Sequence, residues 1–293
     1  MNQYLDIAEF GRFADIIDAA LAEDLASGDL TGRLTVPVDA QARGHIVAKQ
    51  AQVFCGGPIA AQVFARIDPS LQVELAVAEG TQVEVGTELI RLAGNARALL
   101  AGERTALNLL GRACAVATLT RRYVDAAGPS LRVVDTRKTM PGLRALDRYA
   151  VRAGGGHNHR NDLGSGVLIK ENHIRCAGSV TAAVTAARAH APHSVRVECE
   201  VETLDELREA VAAGADALLL DNMSDEQLRE AVAIVGPKEQ RRVLLEVSGG
   251  ITLERLPSLA TIGLDLVSVG ALTHSAPSVD QSLLFFFTAG GRS

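Results

Sequence analysis

Between residues 135 and 173 the chain reads DTRKTMPGLRALDRYAVRAGGGHNHRNDLGSGVLIKENH. This stretch gathers Arg137, Lys138, Arg144, Arg148, Arg152, His157, His159, Arg160, Lys170 and His173, although the whole chain has a net charge of −6. A face that serves only solubility mixes its signs. Cations crowded onto turns beside two short apolar runs point instead to a pocket for small polyanions, carboxylates and phosphates together. The opposite charge comes from Glu198-Cys-Glu-Val-Glu202, where strand alternation would put three carboxylates on one face. Facing into a barrel, they stay charged only beside cations, which Lys138, Lys170 or a divalent ion would supply. Glu200 and Asp221 are the expected metal ligands, direct or through water. Mg²⁺ suits them, since it takes one or two carboxylates plus phosphate oxygens and water. His157-Asn-His159 has no third soft ligand nearby, so an anion contact by His159-Arg160 is expected over a transition metal.

These residues need elements to position them. After Pro129, six short β-branched or apolar runs alternate with Ala-rich helical patterns: RVVD (132–135), GVLIK (166–170), VRVECE (195–200), ALLLD (217–221), RVLLEV (242–247) and LDLVSV (264–269). The clearest helical patterns lie at 179–190, 204–213 and 225–235. This alternation predicts right-handed crossovers and a parallel sheet, closed into an incomplete barrel or, alternatively, doubly wound. No GxGxxG follows any of the runs, which argues against a dinucleotide-binding unit. Each run ends in a polar residue or glycine: Asp135 with Arg137 and Lys138, Lys170, Glu200, Asp221-Asn222, Ser248-Gly249-Gly250, and Gly270. That is the end at which β/α barrels build active sites. The loop Ser248-Gly-Gly-Ile-Thr252 is expected to open a helix with Thr252 as its cap. Gly270-Ala271 repeats the device, and such loops after the last two strands form a phosphate cradle.

The first part of the chain reads differently. A helix is expected over 7–23, a turn at Ser27-Gly-Asp-Leu-Thr31, and strands over 43–55 and 71–77. EGTQVEVGTELIRL (79–92) reads as a hairpin of an antiparallel sheet; it lacks the exposed lysine of a lipoyl or biotin carrier. A long helix is expected over 96–127, its middle rich in small residues that suit either core or a subunit interface. SLLFFFT (282–288) is expected to pack back on this region. The division is therefore an N-terminal α+β sandwich domain (1–115, with 276–293) and a β/α barrel domain (116–275).

At 293 residues and 47% apolar content, the chain can bury cores of that size. Its acidic balance excludes general binding to nucleic acid or anionic membrane. The four cysteines form no CxxC and read as reduced thiols. Asp6 and Glu9 stand where a signal peptide wants cations, and no apolar stretch is long enough to span a bilayer. A cytoplasmic protein is expected.

The run 135–160 with LIKENH (168–173) resembles the quinolinate phosphoribosyltransferase family. So do LAEDLASGDLT (21–31), ERTALN (103–108), ECEVETLDEL (198–207), ALLLDNM (217–223), EVSGGIT (246–252) and VSVGALTHSA (267–276). The resemblance implies an N-terminal α/β sandwich and a seven-stranded, incomplete β/α barrel. It also implies a reaction: quinolinate and phosphoribosyl pyrophosphate, with Mg²⁺, give nicotinate mononucleotide, CO₂ and pyrophosphate for NAD synthesis. On that likeness Arg137, His159, Arg160 and Lys170 line the quinolinate site, and Arg104 reaches into a neighbour's pocket across a homodimer. Lys138, Thr139, Glu200, Asp221, Ser248, Gly249, Gly250, Gly270, Ala271 and His274 fall on the phosphoribosyl pyrophosphate and metal side. Lys138, Lys170, Glu200 and Asp221 would be catalytic. Three places depart from the pattern: Met140 for Thr, Ser165 for Asp, and Arg112-Ala-Cys-Ala for a small Ser-Gly segment. Two rivals stay in view, a Schiff-base aldolase using Lys170 and a non-catalytic anion-binding relative; a transferase using nicotinate is disfavoured, because one carboxylate needs fewer cations.

Overall fold

The computed structural model describes residues 7–11 and 13–286. They form two compact units, one from the described parts of 1–121, 139–155 and 273–293, the other from 122–138 and 156–272.

The first unit holds β1 (Gln41–Ala48), β2 (Gln52–Val53), β3 (Gln72–Leu75), β4 (Gln82–Val83), β5 (Glu88–Asn95) and β12 (Gln281–Phe286). Its helices are α1 (Phe13–Asp24), α2 (Leu30–Thr35), α3 (Gly57–Ile67), most of α4 (Ala96–Ala127) and α5 (Arg144–Ala153). The main sheet has the order β12-β1-β5-β3, every pair antiparallel. Its core, with Ile46, Phe54, Ile59, Phe64, Leu89, Ile90 and Leu99 fully buried, draws about 1.5–3 kcal/mol from each large side chain.

Local chemistry redraws several sequence expectations. The helix expected from residue 7 is a short 3₁₀ turn, Ile7–Phe10, which ends at Gly11 with φ of +116°; α1 then starts at Phe13. The turn at 27–31 supplies a helix start, because Asp29 Oδ1 accepts from Gly32 N–H at 2.9 Å and caps α2. The strand expected over 43–55 splits into β1 and β2. Residues 79–92 are not a hairpin: β4 pairs with β2, while β5 lies between β1 and β3.

Residues 139–155 join this unit, although the sequence division assigned them to the barrel. Tyr149 on α5 is buried, donates its hydroxyl to Glu79 Oε2 at 2.7 Å, and meets the rings of Phe10 and Phe13 edge-on at 5.4 and 5.9 Å. Asp147, fully buried, takes two bonds from the Arg112 guanidinium at 2.8 and 2.9 Å and one from Met140 N–H at 3.2 Å. Two of the sequence departures, Arg112 and Met140, therefore meet on one carboxylate.

The second unit is a parallel sheet of β6 (Arg132–Val134), β7 (Val167–Ile169), β8 (Val197–Val201), β9 (Ala217–Asp221), β10 (Leu244–Ser248) and β11 (Leu266–Ser268), in the order β6-β11-β10-β9-β8-β7. His157 adds a seventh, one-residue position beside β6, bridging to Val134. The helices are α6 (Glu171–Ala177), α7 (Val180–His190), α8 (Leu204–Ala212), α9 (Asp225–Val235), α10 (Leu256–Leu259) and α11 (Ala271–His274). Ser179, Thr203 and Ser224 cap α7, α8 and α9 through their side-chain oxygens. Val197, Cys199, Val201, Leu218, Leu220, Leu245 and Val247 are buried on the outer, helix-covered face. Residues of the other phase, from β6 at one end of the order to β7 at the other, line one lumen. The sheet is thus curled into an incomplete barrel, and Arg160 Nη1 to Gly166 O at 3.0 Å ties across its open side.

Candidate active site

At the C-terminal ends of the parallel strands lies a cavity of about 400 Å³. Arg137 and Lys138 reach it from the turn after β6, His159 and Arg160 from the segment after the His157 bridge, and Lys170 from the end of β7. Glu200, Asp221 and Ser248 reach it from the ends of β8, β9 and β10. Strand phase explains the set: Glu200 and Asp221 point inward because Cys199 and Leu220 point outward.

One pair of opposite charges is closed within the cavity. Lys170 Nζ makes an ion pair with Glu200, whose side chain is 14% exposed. Asp221 Oδ2 accepts from Asn222 Nδ2 at 2.7 Å. The Arg160 guanidinium is lowered from its usual range by burial and by the positive charge of Arg137 beside it, the electrostatic mark of a site built for an anion.

Buried Asp135 accepts from Asn158 Nδ2 and from His159 N–H, both at 2.7 Å, and so fixes the segment that carries the imidazole. Both ring nitrogens of His159 have protein neighbours. Nδ1 accepts from Arg160 N–H at 2.7 Å, and Nε2 faces Glu198 Oε2 at 3.0 Å and Glu246 Oε2 at 3.6 Å. Burial pulls the pKa of His159 down, but the hydrogen bond to Glu198 and the charges of Glu246, Glu198 and Asp135 raise it overall. Its neighbours at Nε2 are two glutamates, and the ring lines the cavity beside Arg137, Arg160 and Lys170.

The glycine loop is a consequence of Asn222. That residue has φ of +54°, in the left-handed region, and donates its N–H to Ser248 O at 3.0 Å. Its side chain lies against Gly249, where a Cβ would sit 2.1 Å from Asn222 Oδ1; only glycine fits. Gly249 and Gly250 both have positive φ. The helix expected at Thr252 does not form: α10 begins at Leu256 after Arg255. Gly270 and Ala271 open α11, a helix of four residues.

Other expected members fall in the first unit. Arg104, exposed on α4, Thr139, whose Oγ1 accepts from Arg144 Nε at 3.0 Å, and His274, with Nδ1 2.7 Å from Ser275 Oγ, belong to the first unit. So do Arg144, Arg148 and Arg152 on α5, which divides the cation-rich stretch between the two units. Glu202 lies beyond the end of β8 and is exposed, so the inward face carries two carboxylates, Glu198 and Glu200. Ser165 Oγ accepts from Asp162 N–H at 3.0 Å and closes a turn. Asp135 and Glu246 were not assigned a role from sequence. The available signal for Glu246 was an acid inside the apolar run RVLLEV, in phase with Ser248.

Cys55, Cys114 and Cys199 are buried free thiols and Cys176 is exposed. Among the described residues no helix is long and apolar enough to cross a membrane.

Comparison with known proteins gives one consistent result. The profile of the quinolinate phosphoribosyl transferase N-terminal domain matches residues 29–114, and that of its C-terminal domain matches residues 116–284. A probable carboxylating nicotinate-nucleotide pyrophosphorylase of Bacillus subtilis is 42% identical over 262 residues, covering 89% of each chain. The carboxylating nicotinate-nucleotide pyrophosphorylase of Mycobacterium leprae is 41% identical over 289 residues, 95% of this chain and 99% of that one. The solved nicotinate-nucleotide pyrophosphorylase of Francisella tularensis superposes with a TM-score of 0.87 at 37% identity, covering 94% of this chain and 96% of its own. With both domains matched and the cationic strand-end cavity in place, the chain belongs to the quinolinate phosphoribosyltransferase family.

Proposed function

We propose that this protein condenses quinolinate with phosphoribosyl pyrophosphate, giving nicotinate mononucleotide, CO₂ and pyrophosphate in de novo NAD biosynthesis. One observation carries the reading: Arg137, Lys138, Arg160 and Lys170 share a single cavity with Glu200 and Asp221 at the strand ends. Two ring carboxylates and a pyrophosphate need several fixed cations. Arginine forks meet carboxylates in a planar, bidentate way. In this reading Arg137 and Arg160 hold the quinolinate carboxylates, and Lys138 faces the phosphates. Glu200, anchored by Lys170, stabilises the oxocarbenium character that grows on the ribose as pyrophosphate leaves. The ring nitrogen, once alkylated, carries a positive charge that stabilises the electron pair left on the adjacent ring carbon by the departing carboxylate.

Mg²⁺ belongs to the same reading. Glu200 and Asp221 offer only oxygen donors at the cavity, as a hard cation requires. Each commits an oxygen to a neighbour, Lys170 or Asn222, and keeps a second for a ligand. Bound there, the ion would neutralise charge on the leaving pyrophosphate. A homodimer in which exposed Arg104 serves the neighbouring pocket, in a cytoplasmic setting, completes the proposal.

The direct test is release of labelled CO₂ from carboxyl-labelled quinolinate. Release should require both the sugar donor and Mg²⁺; none with all components present would sink the reading. Mixing inactive Arg104→Ala chains with inactive Lys170→Ala chains should restore part of the activity. Failure to complement would remove the shared pocket.

A further inference from the structure

The lumen of the barrel unit contains two cavities. Below the strand-end site lies a second, of about 410 Å³, lined at the N-terminal ends of the strands by Arg132, Arg196, Ala217, Leu244 and Leu266. His159, Arg160 and Glu246 line both cavities and so form the partition between them, with Glu198 beneath on the lower side. Within that partition Glu246 stands out. Its side chain is 1% exposed, both carboxyl oxygens are buried without a well-aligned donor, and the polar groups beside them are the Ser268 hydroxyl and the Glu198 carboxyl.

A buried carboxylate in that position needs a metal, a cation or a proton. The ligand atoms of His159, Glu198 and Glu246 do lie within 4.8 Å of one another, as a metal would require. However, His159 Nδ1 accepts from Arg160 N–H at 2.7 Å, so the ring hydrogen sits on Nε2, the nitrogen a metal would need. That hydrogen points to Glu198 at 3.0 Å, and the imidazole reaches Glu246 only at 3.6 Å, where its charge offsets part of the cost of burial. The proton is the remaining solution. Burial first, and then the charge of Glu198, push the Glu246 carboxyl up to about 7. The groups facing it are Glu198 from β8, His159 and Arg160 from the segment after the bridge, and Ser268 from β11. Lys170 and Glu200 line the cavity above.

We infer that Glu246 is the acid that supplies a hydrogen to the pyridine ring carbon after the neighbouring carboxylate has left as CO₂. The inference rests on the proposed activity. The carbon–carboxylate bond breaks and its electron pair stays on the ring carbon beside the cationic nitrogen. A carbon–hydrogen bond then forms with the proton of Glu246, leaving its carboxylate. One proton from solvent restores the acid, and the lower cavity gives it a route from the opposite mouth of the barrel. No oxidant or further reactant is needed.

The test uses the full chain with quinolinate, phosphoribosyl pyrophosphate and Mg²⁺. Glu246→Gln should lower kcat by about a hundredfold or more, with KM for both substrates little changed. Its first-turnover release of pyrophosphate should keep the wild-type rate, because the ribosyl bond forms before the hydrogen is required. Wild-type kcat should fall as pH rises through about 7, and the Gln variant should lose that dependence; Glu246→Asp should recover part of the rate. A Gln variant with wild-type kcat and pH profile would overturn the inference while leaving the proposed activity intact. If that variant does not fold, the wild-type profile decides: a kcat that does not fall above about pH 7 overturns the inference. A wild-type protein that releases no CO₂ from quinolinate removes both.

Discussion

Asp147 in the first unit and Glu246 in the second are equally hidden from water, at 0% and 1% exposure, and are treated in opposite ways. Asp147 is saturated: an arginine fork and a backbone N–H meet its two oxygens, and the same arginine also reaches Thr273 O. Glu246 has an acidic neighbour and an imidazole whose hydrogen is directed elsewhere. A saturated buried carboxylate fixes a chain segment in place, here α5 against α4. An unsatisfied one is costly to folding and is retained where its proton is useful.

The comparison can be broken from either side. The largest effect should come from the saturated partner. Arg112→Ala leaves Asp147 buried and unpaired and should cost about 3–5 kcal/mol in urea unfolding; a loss below about 1 kcal/mol would mean the pair is not what holds α5. Glu246→Gln should act in the other direction. The folded protein raises this carboxyl from its ordinary value to about 7, so the folded state binds more protons and loses stability as pH rises from about 4.5 through about 7. Glutamine has no charge to bury, so the variant should be more stable than wild type above about pH 8, by on the order of 3 kcal/mol, with the gap closing toward about pH 5. A gap that does not change with pH would show that Glu246 is not protonated on folding. The smallest effect concerns the exposed cations of the upper cavity. Arg137→Ala should raise KM for quinolinate roughly ten- to a hundredfold, the worth of a charge-assisted bond, and leave that for phosphoribosyl pyrophosphate nearly unchanged. Unaltered quinolinate kinetics would take Arg137 out of the site.

Much of the second unit was legible because its signals are local and repeated. Each of the six apolar runs contains a strand, and Lys170, Glu200, Asp221 and Ser248 fall at their ends because strand phase is readable from alternation alone. Capping residues marked helix starts equally well, as Ser179 and Ser224 show. Failures came where a partner distant in sequence decides. Residues 79–92 look like a hairpin until β2 and β1 take β4 and β5 into different sheets. The sequence assigns α5 to the barrel, whereas Tyr149 and Asp147 bind the helix to the first unit. Thr252 looks like a cap, yet the chain continues as irregular turns to Leu256. Glu246 was hidden for a different reason: one acid in an apolar run carries no sign of whether anything will pair with it.

The pairing of β12 with β1 has a consequence for how the protein is made. β1 lies second in its sheet, and one of its edges is filled by residues 281–286. On the ribosome, the first unit to emerge is therefore the last to be finished, since a row of its backbone groups waits for chain more than two hundred residues downstream. Until then β1 presents an open edge able to accept a foreign strand, so truncation just before residue 281 should harm solubility more than the few lost side chains would imply.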